Sequence, residues 1–336
     1  MSLSTALNIA QSSLLNTGRQ TSVVSRNVMD ARNPDYARRS AVLSSTAPGA
    51  RVIEIRRATN EQLFRQNLGS ISSFSSQSTL YSGMDRLGIA VNGVDNAFSA
   101  ATRISDLQQA LQIYATTPSN NSLASNAINA AREVVRGLND GAAAIQTFRV
   151  ETDQEIAMAV DDLNRLLSQF KDANQAVMNA TRTGRDGSDA LDQRDALLKK
   201  ISEYLPVSTF TRGDNDMVVI AGDGTTLFET VPRSITFTPS VAYPAGQPGN
   251  SVHVDGVPIL MGTGGNTDAG GKIAGLLQLR DDVAVTMQRQ LDEIARGLIT
   301  AFAEKDPNPP GDELPGLFTW SGAPAVPADG ILVDGL

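Results

Sequence analysis

Four groupings in the chain hold residue types that do chemistry, and each has a plainer reading. Gly265-Asn-Thr-Asp-Ala-Gly-Gly-Lys272 resembles a phosphate loop, in which backbone amides cradle phosphate and a Ser or Thr after the lysine holds magnesium. Asn266 stands where the first glycine is needed and Ile273 where the hydroxyl is needed, so the stretch reads as the start of a helix. Asp214, Asp216 and Asp223 suggest calcium, but the loop lacks the glycine at position six and the terminal glutamate of the twelve-residue site, which leaves turn chemistry. Asp192 and Asp195 with Arg194 could pose as an acid–base pair with a clamp. On a helix, however, Asp195 lies four residues before Lys199, and a solvated charged face is expected. His253, the only histidine, sits between Val252 and Val254 and reads as a strand residue. No catalytic, cofactor-binding or metal-binding residue is therefore expected, and no cofactor.

The bulk composition narrows the classes further. Cysteine is absent, which removes disulfides, thiolate metal sites and cysteine nucleophiles. A chain of 336 residues exceeds one ordinary core, so two or more structural units are expected. The net charge of -8 argues against a nucleic-acid partner. Its distribution is uneven: residues 1–66 hold nine arginines against four acids, a balance of +5, and the remainder stands at -13. The two parts face different surroundings. No apolar run approaches the roughly 18 residues of a membrane span, and the start of the chain lacks the basic head, apolar core and cleavage site of a signal peptide. The basic first helix is poor in aromatics, so no membrane partner is expected either.

The elements that would position a functional surface begin with the first helix. Leu3, Leu7, Ala10, Leu14, Thr17, Thr21, Val24, Val28 and Ala31 follow one another at steps of four and three, which is a heptad seam on a helix roughly 40 Å long. Its flanks carry Asn8, Gln11, Ser12, Asn16, Arg19, Gln20, Arg26 and Asn27, so the seam needs a partner while the flanks stay polar. No downstream segment offers itself as that partner. Pro34 forces Asn33 out of helical geometry and ends the helix.

Residues 40–60 read as extended chain with a turn at Pro48-Gly49 and a strand over Arg51–Arg56 that puts Ile53 and Ile55 on one side. Asn60 caps a helix whose face includes Phe64, Leu68, Ile71, Ser78 and Tyr81 through a serine-rich stretch. Another helix is expected from Val94 to Pro118, and a restart at Leu123 with Gly141 as a kink. A second heptad seam then runs through Thr152, Ile156, Ala159, Leu163, Leu166, Phe170, Ala173, Val177 and Ala180, followed by a helix over 188–205. Between 206 and 265 short β-rich pieces alternate with turns, and helix returns until the proline-rich stretch after 305. The expected fold is mainly α, with an N-terminal heptad helix and an elongated helical bundle carrying a small inserted β unit. The expected segments are 1–35 (coiled-coil helix), 36–205 (helical domain, first part), 206–265 (β unit), 266–305 (returning helix) and 306–336 (irregular tail).

The segment Ser25-Arg-Asn-Val-Met-Asp-Ala-Arg-Asn-Pro-Asp-Tyr36 resembles the N-terminal signature of bacterial flagellar axial proteins, matching it at Asn27, Ala31, Pro34 and Tyr36 and departing at Asp30, Asn33 and Asp35. Asp35 replaces a glycine, and aspartate tolerates a left-handed turn better than most residues. Ala190–Leu198 with Ile201–Tyr204, Ala221–Leu227 and Gly270–Leu277 with Arg280-Asp281 follow in the order and spacing of one branch, the hook-associated protein 1 (FlgK) family. Rod and hook proteins share the signature but have β-rich middles, and they are the alternative, together with a coiled-coil adaptor. The resemblance implies a non-enzymatic, structural subunit of the hook–filament junction, needed for motility. It also implies type III export without a cleavable signal peptide and polymerisation outside the cell. Its expected partners are other copies of itself in a junction ring, the hook protein, a second junction protein and an export chaperone. The family's paired terminal coiled coil implies that the seam from Leu3 to Ala31 is its assembly seam, and that further C-terminal helices follow Leu336.

Overall fold

A computed structural model describes residues 3–46, 49–243, 247–259, 270–305 and 314–322. Among them the chain is mainly α, with three small antiparallel sheets. Helix α1 (Leu3–Met29) leads into a hairpin of β1 (Arg39–Thr46) and β2 (Gly49–Arg57). Three helices follow, α2 (Glu61–Asn92), α3 (Ala100–Thr116) and the long α4 (Asn121–Thr183), and then α5 (Ser188–Tyr204). Strands β3 (Val207–Thr211), β4 (Met217–Ala221), β5 (Thr226–Glu229) and β6 (Val231–Pro232) form one sheet in that order. Strands β7 (Ile235–Thr236), β8 (His253–Val254) and β9 (Val257–Pro258) form another. Helix α6 (Gly271–Gln278) passes through a π turn at Leu279–Val283 into α7 (Ala284–Ala301).

Two compact units divide the chain, the first of Met1–Ser76, Ala159–Thr236 and Val252–Ala274, the second of Gln77–Met158, Phe237–Ser251 and Gly275–Leu336. In the first unit the core gathers Leu163, Leu167 and Phe170 of α4, Leu198 and Ile201 of α5, and Val219, Leu227 and Phe228 of the larger sheet, all buried. Phe170 meets Phe228 edge to face at 5.0 Å between ring centres, a geometry that adds to simple burial. The smaller sheet is tied to α4 by Asn164, whose amide donates to the carbonyl of Ile235 at 2.8 Å and whose oxygen accepts from the Ile235 amide at 3.2 Å. Gly271 opens α6 at φ +84°, and a Cβ there would lie 2.3 Å from the Tyr204 carbonyl oxygen. That close approach accounts for a glycine where the phosphate-loop spacing wanted one. Residues 265–269 of that stretch lie outside the described residues.

The second unit packs α2, α3, α4 and α7 around Leu87, Leu107, Leu138, Ile145, Phe148, Leu291 and Ile299. Its most buried polar feature is an ionic cluster. Arg280 of the π turn donates to Asp153 of α4, to the neighbouring Asp281 and, at 3.0 Å, to the carbonyl of Asn250. Arg149 donates to the Arg280 carbonyl at 3.1 Å and to that of Gln247, and lies 4.1 Å over the Tyr243 ring. The Ser240 amide donates to Asp153 and the Gly249 amide to Asp281. Burial lowers the Arg149 pKa. Burial also pulls on Arg280, but its hydrogen bonds to Asp281 and Asp153 outweigh it and the net shift is upward. Burial, helped by Asp153, pushes the Tyr243 hydroxyl up to about 12. The cluster thus fastens Ser240, Tyr243, Gln247, Gly249 and Asn250 to α4 and the π turn with charges whose desolvation leaves no tolerance for a missing member.

Several expectations need correction. The serine-rich stretch after Asn60 is helical and Leu68 is buried as expected, but Ser78 and Tyr81 are exposed, and Ser72, Ser76, Leu87 and Val91 face inward. The helix expected from Val94 begins only at Ala100, because Gly93, Asp95 and Asn96 take positive φ and Ser99 caps the new start through the Thr102 amide. Helix α4 runs through Gly141 unbroken. A Cβ there would lie 3.1 Å from Leu291 and 3.3 Å from Val91, so this glycine admits close packing. In the hairpin Val42 pairs with Glu54 and Leu43 with Val52, which leaves Ile53 as a bulge. Ile53 is turned outward and Val52 inward, while Ile55, expected on one side with Ile53, is half-buried. Beyond α7, Phe318 is buried against Phe302.

Asp153→Ala should lower stability by about 3–5 kcal/mol by leaving Arg280 buried short of one of its two carboxylate partners. Urea unfolding would show this as a lower midpoint.

Candidate assembly site

The predicted seam is exposed along its whole described length. Leu3 is 89% exposed and Val28 71%; Leu7, Ala10, Leu14, Thr17, Thr21, Val24 and Ala31 are exposed too. The helix packs instead by a different face. Asn16 and Val23 are buried at 8% and 7%, and Ile9, Ser12, Gln20 and Asn27 beside them are half-buried. The Asn16 side-chain oxygen accepts from the Val52 amide of β2 at 3.2 Å. The expectation that the polar flanks remain in water fails for this face, because a short polar side chain can satisfy an edge-strand amide that an apolar one would strand. Nor is α1 without neighbours, since the hairpin covers its inner side. Among the described residues nothing covers the seam.

At the base of α1 the signature residues come together. The Tyr36 hydroxyl and the Arg39 amide both donate to the Asn27 side-chain oxygen, at 2.8 and 2.9 Å. The Asn27 amide group donates back to the Arg39 carbonyl at 2.8 Å. One asparagine therefore closes the turn from helix to strand. Asn33 caps the bend by accepting from the Asp35 amide at 3.0 Å. Asp35 is not among the positive-φ residues, so the glycine of the family signature is not needed for its backbone freedom here. Its carboxylate instead accepts from Lys199 of α5 at 2.9 Å, and Lys199 also donates to the carbonyl of Pro34 at 3.2 Å.

The second layer of the joint was misread from sequence. Asp192 is not on a solvated face: it is 8% exposed. It accepts from Arg39 at 2.7 Å and from Arg57 Nε at 2.8 Å, while Arg57 also reaches Asp195 at 2.7 Å. Arg39, buried at 3%, stacks 4.8 Å over Tyr36 and pairs with Asp189 at 2.7 Å, which Arg26 of α1 approaches at 3.2 Å. Burial opposes the Arg39 charge, yet the hydrogen bonds to Asp192 and Asp189 raise its pKa overall. The hydrogen bond from Arg39 holds the Asp189 carboxyl below its ordinary value against the opposing pull of burial. Arg194, expected on a solvated face, is buried, donating to Asn174 and the Asn215 carbonyl. Sequence reading missed Asn16, Arg39, Arg57 and Asp189. The available signal was the arginine excess before residue 67 set against acids at 189, 192 and 195, which share one helical face.

The remaining candidates are occupied by structural partners. Asp214 pairs with Arg182, Asp216 accepts from Asn174 and Arg212, and Asp223 caps its own turn at Thr225. His253 is half-buried in β8. The arrangement can hold a helix at a fixed angle with an apolar stripe outward; it brings no acid, base and nucleophile together.

Asn27→Ala removes three hydrogen bonds and should cost about 1–3 kcal/mol at the joint, read as faster hydrogen exchange of the Arg39 amide with the α4 amides unaffected. Because Asp189 is depressed, its contribution is complete above its unfolded value of about 3.9 and is lost only as pH falls through the lower folded value. Arg39 amide protection should therefore hold down to about pH 4 and decline below it.

Comparison with known proteins places this geometry. The family model for the helical domain of flagellar hook-associated protein FlgK matches residues 91–306. Among solved structures, the flagellar hook junction protein FlgK from Burkholderia pseudomallei is similar at a TM-score of 0.55 and 20% identity, over 71% of this chain and 43% of that one. At that identity the likeness speaks for the fold, and the chain spans under half the length of that protein. No curated protein sequence matches.

Proposed function

Since the chain belongs to the FlgK family of flagellar hook-associated proteins, we propose that it is a structural subunit of the hook–filament junction and that α1 is its assembly element. The observation that carries this reading is the exposed heptad seam of α1, fixed at its base by Asn27 and the Asp192 cluster. Large apolar side chains facing water along a rigidly held helix mark a surface made for another protein. In this reading residues 1–35 form the axial coiled coil. Residues 36–205 and 266–305 form the helical domain, 206–265 the small β unit and 306–336 the tail. The partners are further copies in a ring, the hook protein, a second junction protein and, before assembly, an export chaperone. Export runs through the flagellar type III route to the cell exterior. The role is mechanical, and no reaction is assigned to it.

Leu7, Leu14, Val24 and Val28 would each contribute about 1.5–3 kcal/mol on burial in the assembly and little to the monomer. Leu14→Asp should abolish filament growth and motility while the circular dichroism and melting temperature of the purified chain stay unchanged. Motile cells carrying that variant would refute the assignment.

A further inference from the structure

Beside the joint, within the first unit, lies a groove of about 1140 Å³ bordered by α1, β2, the start of α2, α5 and β3. Six arginines and Lys199 line it against Glu54, Glu61, Asp186 and Asp195; Arg57, Arg194 and Lys199 are held by the joint and its neighbours, which leaves Arg19, Arg56, Arg65 and Arg185. Arg56 and Arg65 make only exposed pairs, at 3.3 and 3.5 Å, with Glu54 and Glu61 on their own elements, and such pairs hold little energy. Arg19 and Arg185 form no ion pair among the described residues. Between these cations sit Ile53 and Phe210, 61% and 49% exposed. Arginine interleaved with exposed apolar and aromatic side chains is the composition of a protein contact. Ile53 is exposed because the hairpin bulges at it, so the backbone irregularity builds part of the groove wall.

The occupant follows from charge. The first unit holds nineteen Lys and Arg against eighteen Asp and Glu, whereas the second holds nine against eighteen. The cations of the groove thus belong to a chain that carries a strong acidic excess elsewhere. We propose that the groove seats an acidic surface of the second unit of another copy of this chain. Two different surfaces meet in such a contact, so it is heterologous, propagating from copy to copy until a ring closes. The inference rests on the self-assembly reading above, but it assigns a surface distinct from the α1 seam and a different force. The seam is apolar and insensitive to salt, while the groove contact is electrostatic and screened over about 10 Å at 0.1 M salt.

The full chain would be examined by sedimentation equilibrium at about 50 mM and about 500 mM salt, alongside the Arg19→Glu/Arg185→Glu and Arg19→Lys/Arg185→Lys variants. Because both arginines are exposed, melting temperatures should stay at the wild-type value. The expected result is self-association weakened about tenfold or more by salt and by the glutamate pair, and retained by the lysine pair. A photoreactive benzoyl-phenylalanine in place of Phe210 should cross-link to residues 77–158 of a second copy. A wild type that stays monomeric at about 100 μM in low salt, charge reversal without effect, or cross-links confined to the same chain, to another copy's α1 or to an unrelated protein would each overturn the proposal. Failure of the seam reading is separable: Leu14→Asp would then be motile, whatever the cross-links from position 210.

Discussion

The orientation of α1 depends on Asp192. A single carboxylate at the start of α5 receives Arg39 from the first residue of β1 and Arg57 from the last residue of β2, two positions that are also paired across the hairpin. Desolvating two guanidinium groups costs several kcal/mol each, and attraction to nearby acids repays that only in close geometry. Asp189 and Asp195 supply the further acceptors, so two arginines meet three carboxylates spaced along one helical face. The net stability from such a cluster is small. Its consequence is directional, because any tilt of the hairpin against α5 would leave a buried charge without its partner. Asn27 then transmits the hairpin's position to the helix through three hydrogen bonds.

That coupling explains why α1 can present its apolar side outward. In an ordinary amphipathic helix the apolar stripe is what attaches the helix to its domain. Here attachment is carried by polar groups, Asn16 on the edge amide of β2 and Asn27 on the turn, with Val23 as the one buried apolar side chain of the helix. The heptad seam is consequently surplus to the monomer. Most helical stability in proteins comes from packing, and α1 buries only Asn16 and Val23, so the joint also sets where a weakly packed helix begins and in which direction it grows.

The heptad periodicities were legible because a repeat of three and four sustained over nine positions matches the turn of a helix and no extended conformation. The seam from Thr152 to Ala180 is buried as far as Val177 and half-buried at Ala180, and the seam from Leu3 to Ala31 is exposed. What could not be read was the partner of each charged residue. Asp192 looked like half of a local pair, since its binding partners lie more than 130 residues away in sequence and no local rule reaches across that separation. The outward turn of Ile53 escaped for a related reason. A bulge depends on the register set by both strands, and alternation within one strand cannot show it. The signature Asn27, Pro34 and Tyr36 was recognised as a motif, while its chemistry, a turn closed by one amide side chain, became visible only with the third participant, Arg39.

All nine cations before residue 67 are arginines, and the joint gives a physical reason for at least two of them. Arg57 spans Asp192 and Asp195 with different nitrogens of one rigid fork, and Arg39 reaches Asp189 and Asp192 through one nitrogen while its guanidinium lies 4.8 Å over the Tyr36 ring. A lysine ammonium is a compact, strongly hydrated point charge that offers neither the two-nitrogen fork of Arg57 nor the flat face that Arg39 sets over a ring. It would also lose more hydration on burial at 3% exposure. The guanidinium therefore suits the buried joint by geometry and weak hydration. One residue type thus serves both the joint and the neighbouring groove of the first unit, locked where carboxylates of the same chain surround it and open where they do not.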